Sequence, residues 1–362
     1  MNRNVLSRRA LVGVAIAALA LAGCGGGDDD SDTGTGGTDA SAGASEYANL
    51  SGDLKASGAS FPDAYYQEVI TEFKGVAPNL TVNYNAVGSG QGKKDFGANL
   101  NDFAGSDSTV KDGDGPTAGS FLYVPTVAAP ITVSFNISGV DKLQLSPDTL
   151  AKIFQTDIKT WNDAAIAADN PGVTLPATNI TVVHRAEGSG TTNNFTKYLV
   201  AAAPDTWKLK SGDVVDWPAS TQGAEKNSGV AQLIKQTDGG IGYVDFSDAR
   251  ASGLKFAAIK NKDGQFVEAS IEGTTAALQG AEIAEDLTFN PLNAAGATTY
   301  PITAPTYILV RTTYTDAAKK DAVKGFVRYI LTEGQTLAPE VDFAPLPDEL
   351  KTKALAQLDK IQ

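Results

Sequence analysis

The chain predicts an α/β fold of two lobes, built from mixed sheets with flanking helices and a hinge. Three observations carry this. Short β-branched runs alternate with amphipathic helical stretches, the pattern of strands interleaved with helices. Three times a strand leads through a Gly-rich turn with a hydroxyl into a helix start, at Gly58-Ala59-Ser60-Phe61, Gly88-Ser89-Gly90 and Gly188-Ser189-Gly190-Thr191. Two long apolar runs, Phe121 to Ile137 and Tyr300 to Val310, have the length to cross between lobes.

Taken from the N-terminus, residues 1–24 read as a leader. Arg3, Arg8 and Arg9 precede an apolar run from Ala10 to Ala22, too short to span a bilayer. The run ends Leu21-Ala22-Gly23-Cys24, which resembles a bacterial lipobox and implies lipidation of Cys24. Cys24 is the only cysteine among 362 residues, so no disulfide framework supports the fold. Residues 25–48 are almost entirely Gly, Asp, Ser, Thr and Ala and read as a disordered linker, since they bury too little surface to fold. The expected location is extracytoplasmic, anchored to the cell membrane.

Leu54 to Ser60 reads as a strand ending in a tight turn, and Phe61-Pro62 as the opening of a helix to Phe73, with Pro62 in its first turn. Leu80 to Val87 alternates as a strand, and a helix follows the second Gly-rich turn. Asp102 to Asp107 reads as a short buried strand carrying Ser106 and Asp107 at its end. Ser146-Pro147-Asp148 starts a helix to Gln155. Asn179–Val183 is a strand, Gly229–Gln236 a helix and Gly239–Val244 a Gly-led strand. A hairpin turns at Lys262-Asp263-Gly264, and two amphipathic helices, Thr315–Thr332 and Pro347–Ile361, close the chain. The expected division is 49–127 plus 299–362 for lobe I and 128–298 for lobe II. The hinge is expected near Pro125–Ile131 and Ala297–Ile302.

The segment His184 to Thr191 carries the most chemistry. A strand, a Gly-rich turn and a helix start aim backbone N–H groups and the positive end of a helix dipole at one point. Arg185 adds a fixed cation, and Ser189 and Thr191 add hydroxyl donors. Those parts suit a small tetrahedral oxyanion. The formal net charge is −13, and loss of residues 1–24, with three Arg and no acid, makes it −16. That balance argues against nucleic acid as a partner. It does not argue against an anion in a dry cleft, because exposed charges are screened beyond about 8 Å.

Taken together the motifs resemble the substrate-binding lipoprotein of the bacterial high-affinity phosphate ABC transporter. The resemblance runs from Leu54 to the C-terminal helices, through Gly58–Pro62, Val87–Gly90, Asp102–Asp107, Ile153-Phe154, Thr160–Asp163, Arg185–Thr191, Trp217-Pro218 and Gly240–Val244. It implies a two-lobed periplasmic-binding-protein fold, type II-like. It implies phosphate held by the Ser60 hydroxyl, the Phe61 N–H, Ser89, Asp107, Arg185, Ser189, Gly190 and Thr191, with Glu187 orienting Arg185. Ser60 stands where the family usually has Thr, Glu187 where it commonly has Asp, and Gly90-Gln91 replaces a second hydroxyl in the loop. The implied partners are inorganic phosphate and the permease subunits of an ABC importer, with the chain a monomer.

Asp107 discriminates among oxyanions. A carboxylate facing an anion repels it unless the ligand brings a proton, as phosphate does and sulfate does not. Sulfate and molybdate conflict with Asp107, whereas arsenate, nearly isosteric and protonated, stays open, as does a surface phosphate sensor uncoupled from transport. No enzyme is expected: the G-x-S-x-G elbow is absent and His184, the only histidine, reads as structural. Gly88 to Lys94 lacks the leading Gly and the Lys-Ser/Thr of a P-loop. With one His and one Cys, no cofactor or clustered His/Cys metal site is expected.

Overall fold

The computed structural model describes residues 46–362. The leader, Cys24 and nearly all of the linker lie outside the described residues. Packing begins inside the segment read as linker: Tyr47 is buried, its ring edge-on to Phe73 at 5.5 Å and to Tyr329 at 5.6 Å. One aromatic ring supplies enough apolar area to fix a segment that its Gly and Ser neighbours would leave free.

The elements follow one another as β1 (Ser51–Gly58), α1 (Asp63–Val76), β2 (Asn79–Ala86), α2 (Ser89–Gly97), β3 (Phe103–Ser106) and β4 (Phe121–Asn136). Next come β5 (Gln144–Leu145), α3 (Pro147–Phe154), α4 (Ala164–Asp169), β6 (Thr181–Arg185), α5 (Gly190–Ala202), β7 (Gln222–Ala224) and α6 (Lys226–Gln236). The chain ends with β8 (Gly240–Asp245), α7 (Phe246–Ala251), β9 (Lys255–Phe256), β10 (Ala258–Lys260), β11 (Phe266–Val267), α8 (Ile271–Leu278), β12 (Thr303–Arg311), α9 (Ala317–Leu331) and α10 (Asp348–Gln357). The expected hairpin is β10–β11, antiparallel, with Gly264 at φ 82 in its turn.

One mixed sheet runs β2-β1-β3-β12-β4-β8-β6-β7. Within it β1, β2 and β3 are mutually parallel, as are β6, β7 and β8. The long strand β4 joins the two parallel sets. Phe121–Pro130 pair antiparallel with β12, and Ile131–Asn136 pair antiparallel with β8. Its two prolines stand where a ladder N–H is dispensable. Pro125 lies at the register shift opposite Thr306/Tyr307, and Pro130 is the last residue paired with β12 before the change of partner. The chain returns beside that point, where the Ile131 N–H donates to Ile302 O at 2.8 Å and the Tyr300 hydroxyl to Ile131 O at 2.9 Å.

This topology brings the C-terminal ends of the two parallel sets, which run opposite to each other, toward one crevice, where ligands of open α/β sheets sit. The backbones there are close. A Cβ on Gly58, whose φ is +153, would lie 2.1 Å from Gly105 O. Gly58→Ala therefore forces β1 and β3 apart and is expected to destabilise by roughly 2–4 kcal/mol. Gly75→Ala, on the exposed end of α1 with nothing within 4 Å, is expected to stabilise by about 0.5–1 kcal/mol. Thermal unfolding of the two variants checks the contrast, and equal midpoints would refute it.

Candidate functional site

Among the described residues 28 polar or charged ones are buried, and the informative ones cluster at the crevice. Ser60, Ser89, Asp107, Arg185, Ser189 and Thr191 are each 5% exposed or less. Buried polar groups must find partners, and here the partners are one another. Ser60 follows β1, Ser89 opens α2, Asp107 follows β3, Arg185 ends β6, and Ser189-Gly190-Thr191 opens α5.

The first turn differs from expectation. Ser60–Asp63 closes as a turn, with Asp63 N–H to Ser60 O at 3.4 Å, and the helix begins at Asp63 with Pro62 as its N-cap residue. Phe61 thus stands ahead of the helix, its ring edge-on to Phe343 at 5.9 Å. Burial of that ring and the fixed φ of Pro62 set the extra turn. The other two turns are as read. Gly88 takes φ 91 ahead of Ser89, and Ser189 caps α5 by accepting from Thr192 N–H at 3.1 Å.

The second and third turns abut. Gly90 N–H donates to Gly188 O at 3.0 Å. A Cβ on Gly190 would lie 2.6 Å from both the Asp107 Cβ and the Ser89 Oγ. The Ser89 hydroxyl reaches Asp107 Oδ2 at 3.3 Å, and Thr306 donates to Asp107 Oδ1 at 2.7 Å. Asn194 of α5 donates to the Asp107 carbonyl at 2.6 Å.

Arg185 is held by its neighbour. Its Nε donates to Glu187 Oε1 at 2.9 Å, and Nη2 donates to the same oxygen. Nη1 reaches Thr191 Oγ1 at 3.4 Å. The Glu187 carboxyl is pushed up by burial, but Arg185 and the Lys226 N–H outweigh this and hold it below its ordinary value. Glu187 thus holds the Arg185 guanidinium through two of its nitrogens. His184 is structural: its ring stacks on Trp217 at 5.0 Å and Nδ1 meets Arg185 O at 2.9 Å.

Six residues here escaped the sequence reading. Asn227 of α6 donates from Nδ2 to Ser60 Oγ at 3.3 Å and Thr191 Oγ1 at 3.2 Å. Thr306 of β12 holds Asp107. Lys93 and Asp213 form an ion pair at 2.8 Å, with the Lys93 side chain 1% exposed. Ser108 donates to Asp213 Oδ2 at 3.0 Å and Asn193 to Oδ1 at 2.8 Å. Each lies far in sequence from the group it serves, and no local motif marks it. A cavity of about 160 Å³ adjoins the first turn, lined by Ser60, Phe61, Asp63, Lys226, Asp245 and Asp248 among others.

Burial pushes the Asp107 carboxyl up to about 7, against the lowering by Thr306, Arg185 and Ser89. A carboxyl raised on folding binds more protons folded than unfolded, so stability falls as pH rises from about 4 to about 7 and then levels. Asp107→Asn removes this burial cost. In phosphate-free buffer the variant should gain on the wild type between pH 4 and 8, by up to about 4 kcal/mol. Thermal unfolding across that range checks it, and a pH-independent difference would count against it.

Comparison with known proteins gives the family and the fold. The PBP superfamily domain matches residues 37–333. The phosphate-binding protein PstS of Xylella fastidiosa strain 9a5c is 35% identical over 319 residues, covering 86% of this chain and 85% of that protein. PstS 3 of Mycobacterium leprae is 35% identical over 312 residues, covering 83% and 84%. Among solved structures, the periplasmic phosphate-binding protein PfluDING, bound with phosphate, superposes with a TM-score of 0.70 at 24% identity, covering 84% of this chain and 93% of that one. A putative phosphate ABC transporter substrate-binding protein from Clostridium perfringens gives 0.61 at 16% identity, covering 82% and 100%. The structural likenesses establish the two-lobed fold, and from the sequence relatives the chain belongs to the PstS family of phosphate-binding proteins within the PBP superfamily.

Proposed function

We propose that this chain binds inorganic phosphate outside the cytoplasm and delivers it to an ABC importer, held at the membrane by a lipid on Cys24 and acting as a monomer without catalysis. The observation that carries the reading is the convergence of Ser60, Ser89, Asp107, Arg185 and Thr191 into one buried crevice in a chain of this family. Phe61, Ser189 and Gly190 complete the donor set, and Glu187 aims Arg185. Membership supports the phosphate assignment, since the relatives are phosphate-binding proteins by name. Among the described residues no helix is long and apolar enough to cross a membrane. Displacement of radiolabelled phosphate tests the reading: arsenate should compete and molybdate should not, and absence of phosphate binding would overturn it.

Asp107 is the selectivity element. When ionised it accepts from a phosphate O–H, whereas sulfate has no proton to give and needs Asp107 protonated. With the carboxyl near 7, sulfate affinity should fall about tenfold per pH unit above that value. Phosphate keeps one O–H in the same range. At pH 8, Asp107→Asn should reduce the phosphate/sulfate ratio by about 10²-fold or more. Calorimetry with both anions checks this, and an unchanged ratio would refute it.

Binding closes the proposed lobes, 49–127 plus 299–362 over 128–298. The change of partner in β4 at Ile131 and the return through Tyr300–Ile302 support two narrow connections between them. Gly90 to Gly188 and Lys93 to Asp213 are then contacts of the closed form. Lys93→Met leaves the Asp213 charge with neutral donors only, so phosphate release should quicken by about tenfold or more. Stopped-flow release and small-angle scattering with and without phosphate check it; wild-type release together with wild-type compaction would dismiss the latch.

A further inference from the structure

Asn227 is fully buried at the start of α6, and its backbone is unusual. The preceding Lys226 takes φ 62, a left-handed conformation that a non-glycine residue adopts at some cost. That bend turns two N–H groups to use. Lys226 N–H donates to Glu187 Oε1 at 2.9 Å, and Asn227 N–H donates to Ser60 Oγ at 3.3 Å. The Asn227 side chain then spans the crevice. Its Nδ2 lies 3.3 Å from Ser60 Oγ, behind β1, and 3.2 Å from Thr191 Oγ1, in α5. Its Oδ1 is buried with no partner.

Direction is what matters in these contacts. A hydroxyl has one proton to give and two lone pairs to fill, whereas an NH₂ group gives two protons and takes none. With Nδ2 donating to both hydroxyl oxygens, both hydroxyl protons stay free for a third partner. Turned the other way, Oδ1 would collect those protons and leave two lone pairs facing the crevice. The orphaned Oδ1, a buried acceptor without a partner, is the cost of holding the amide this way round. Thr191 Oγ1 also receives Arg185 Nη1 at 3.4 Å, which fills its acceptor side further.

We propose that Asn227 is a positioning residue that fixes the donor direction of Ser60 and Thr191, one on each side of the crevice, toward the bound oxyanion. This rests on the phosphate-binding reading above. Asn227 need not touch the anion itself. It commits the Thr191 hydroxyl, on its own lobe, before the ligand arrives and the Ser60 hydroxyl as the lobes close, lowering the ordering cost of binding.

A double-mutant cycle separates this role from simple packing. Phosphate affinity is measured by equilibrium dialysis for wild type, Asn227→Ala, Thr191→Val and the double variant, with circular dichroism and thermal unfolding on each. Asn227→Ala is expected to weaken binding by about 10–30-fold in the wild-type background and clearly less where Thr191 is already Val, a coupling that lost packing would not produce. Asn227→Asp keeps the shape but only accepts, so it should weaken binding more than Ala does while the fold persists. Equal losses in both backgrounds, or none in either, would overturn the proposal while leaving phosphate binding intact. A wild-type protein that fails to bind phosphate would overturn the functional reading and this inference with it.

Discussion

The site depends on the close approach of two glycine turns. Gly90 N–H meets Gly188 O at 3.0 Å, and a Cβ on Gly88 would lie 2.8 Å from that same oxygen. On Gly190 a Cβ would collide with Asp107 and Ser89. Only residues without a Cβ let the turns meet backbone to backbone. A side chain at any of these points would hold α2 and α5 apart, and Ser89, Asp107 and Thr191 would no longer share a crevice. Glycine is required here less for its φ than for its size, and only at Gly88 are both at work.

The same proximity accounts for the electrostatics. The chain is acidic overall at −13, yet the crevice buries Arg185 and Lys93, each with its own carboxylate. Glu187 occupies Nε and Nη2 of Arg185, and Asp213 takes Lys93. The buried ion pairs leave little net local charge to attract an anion. Directed donors at hydrogen-bond range must then do the recognition, and these are indifferent to the sign of a distant, screened surface.

Much of the fold could be read from the chain because its signals are local. The run Phe121 to Ile137 matches β4 nearly to the residue, and the second and third strand–turn–helix motifs reappear as read. The short helices α4, α7 and α8 were not foreseen. Six to eight residues span about two turns or fewer, too little for an apolar stripe to declare itself. In α7 the signal is instead the cap, Asp245 accepting from Asp248 N–H at 3.0 Å. Among site residues, those on glycine turns and Asp107, at the end of the Asp102–Asp107 strand motif, were visible, and those on elements without a motif were not. Thr306 is one β-branched residue in a β-branched strand, and Asp213 lies in a loop without motif. Their roles exist only through contacts 199 and 120 residues away in sequence.

That difference bears on how selectivity is built. The glycine turns place donors, and any oxyanion of the right size could accept from them. Under the role proposed for Asp107, what distinguishes anions by proton count is that acceptor, and the residue that holds it, Thr306, carries no motif. Thr306 spends its proton on Asp107 Oδ1, leaving Oδ2 with a Ser89 contact of 3.3 Å. Burial meanwhile keeps the carboxyl near the pH at which phosphate itself titrates. Thr306 lowers the Asp107 carboxyl against its burial, so a change at Thr306 acts first on the proton affinity of Asp107. On the proposed reading, specificity in this crevice is a property of the hydrogen-bond directions behind the first turn of contacts, and glycine-rich motifs alone would not predict it.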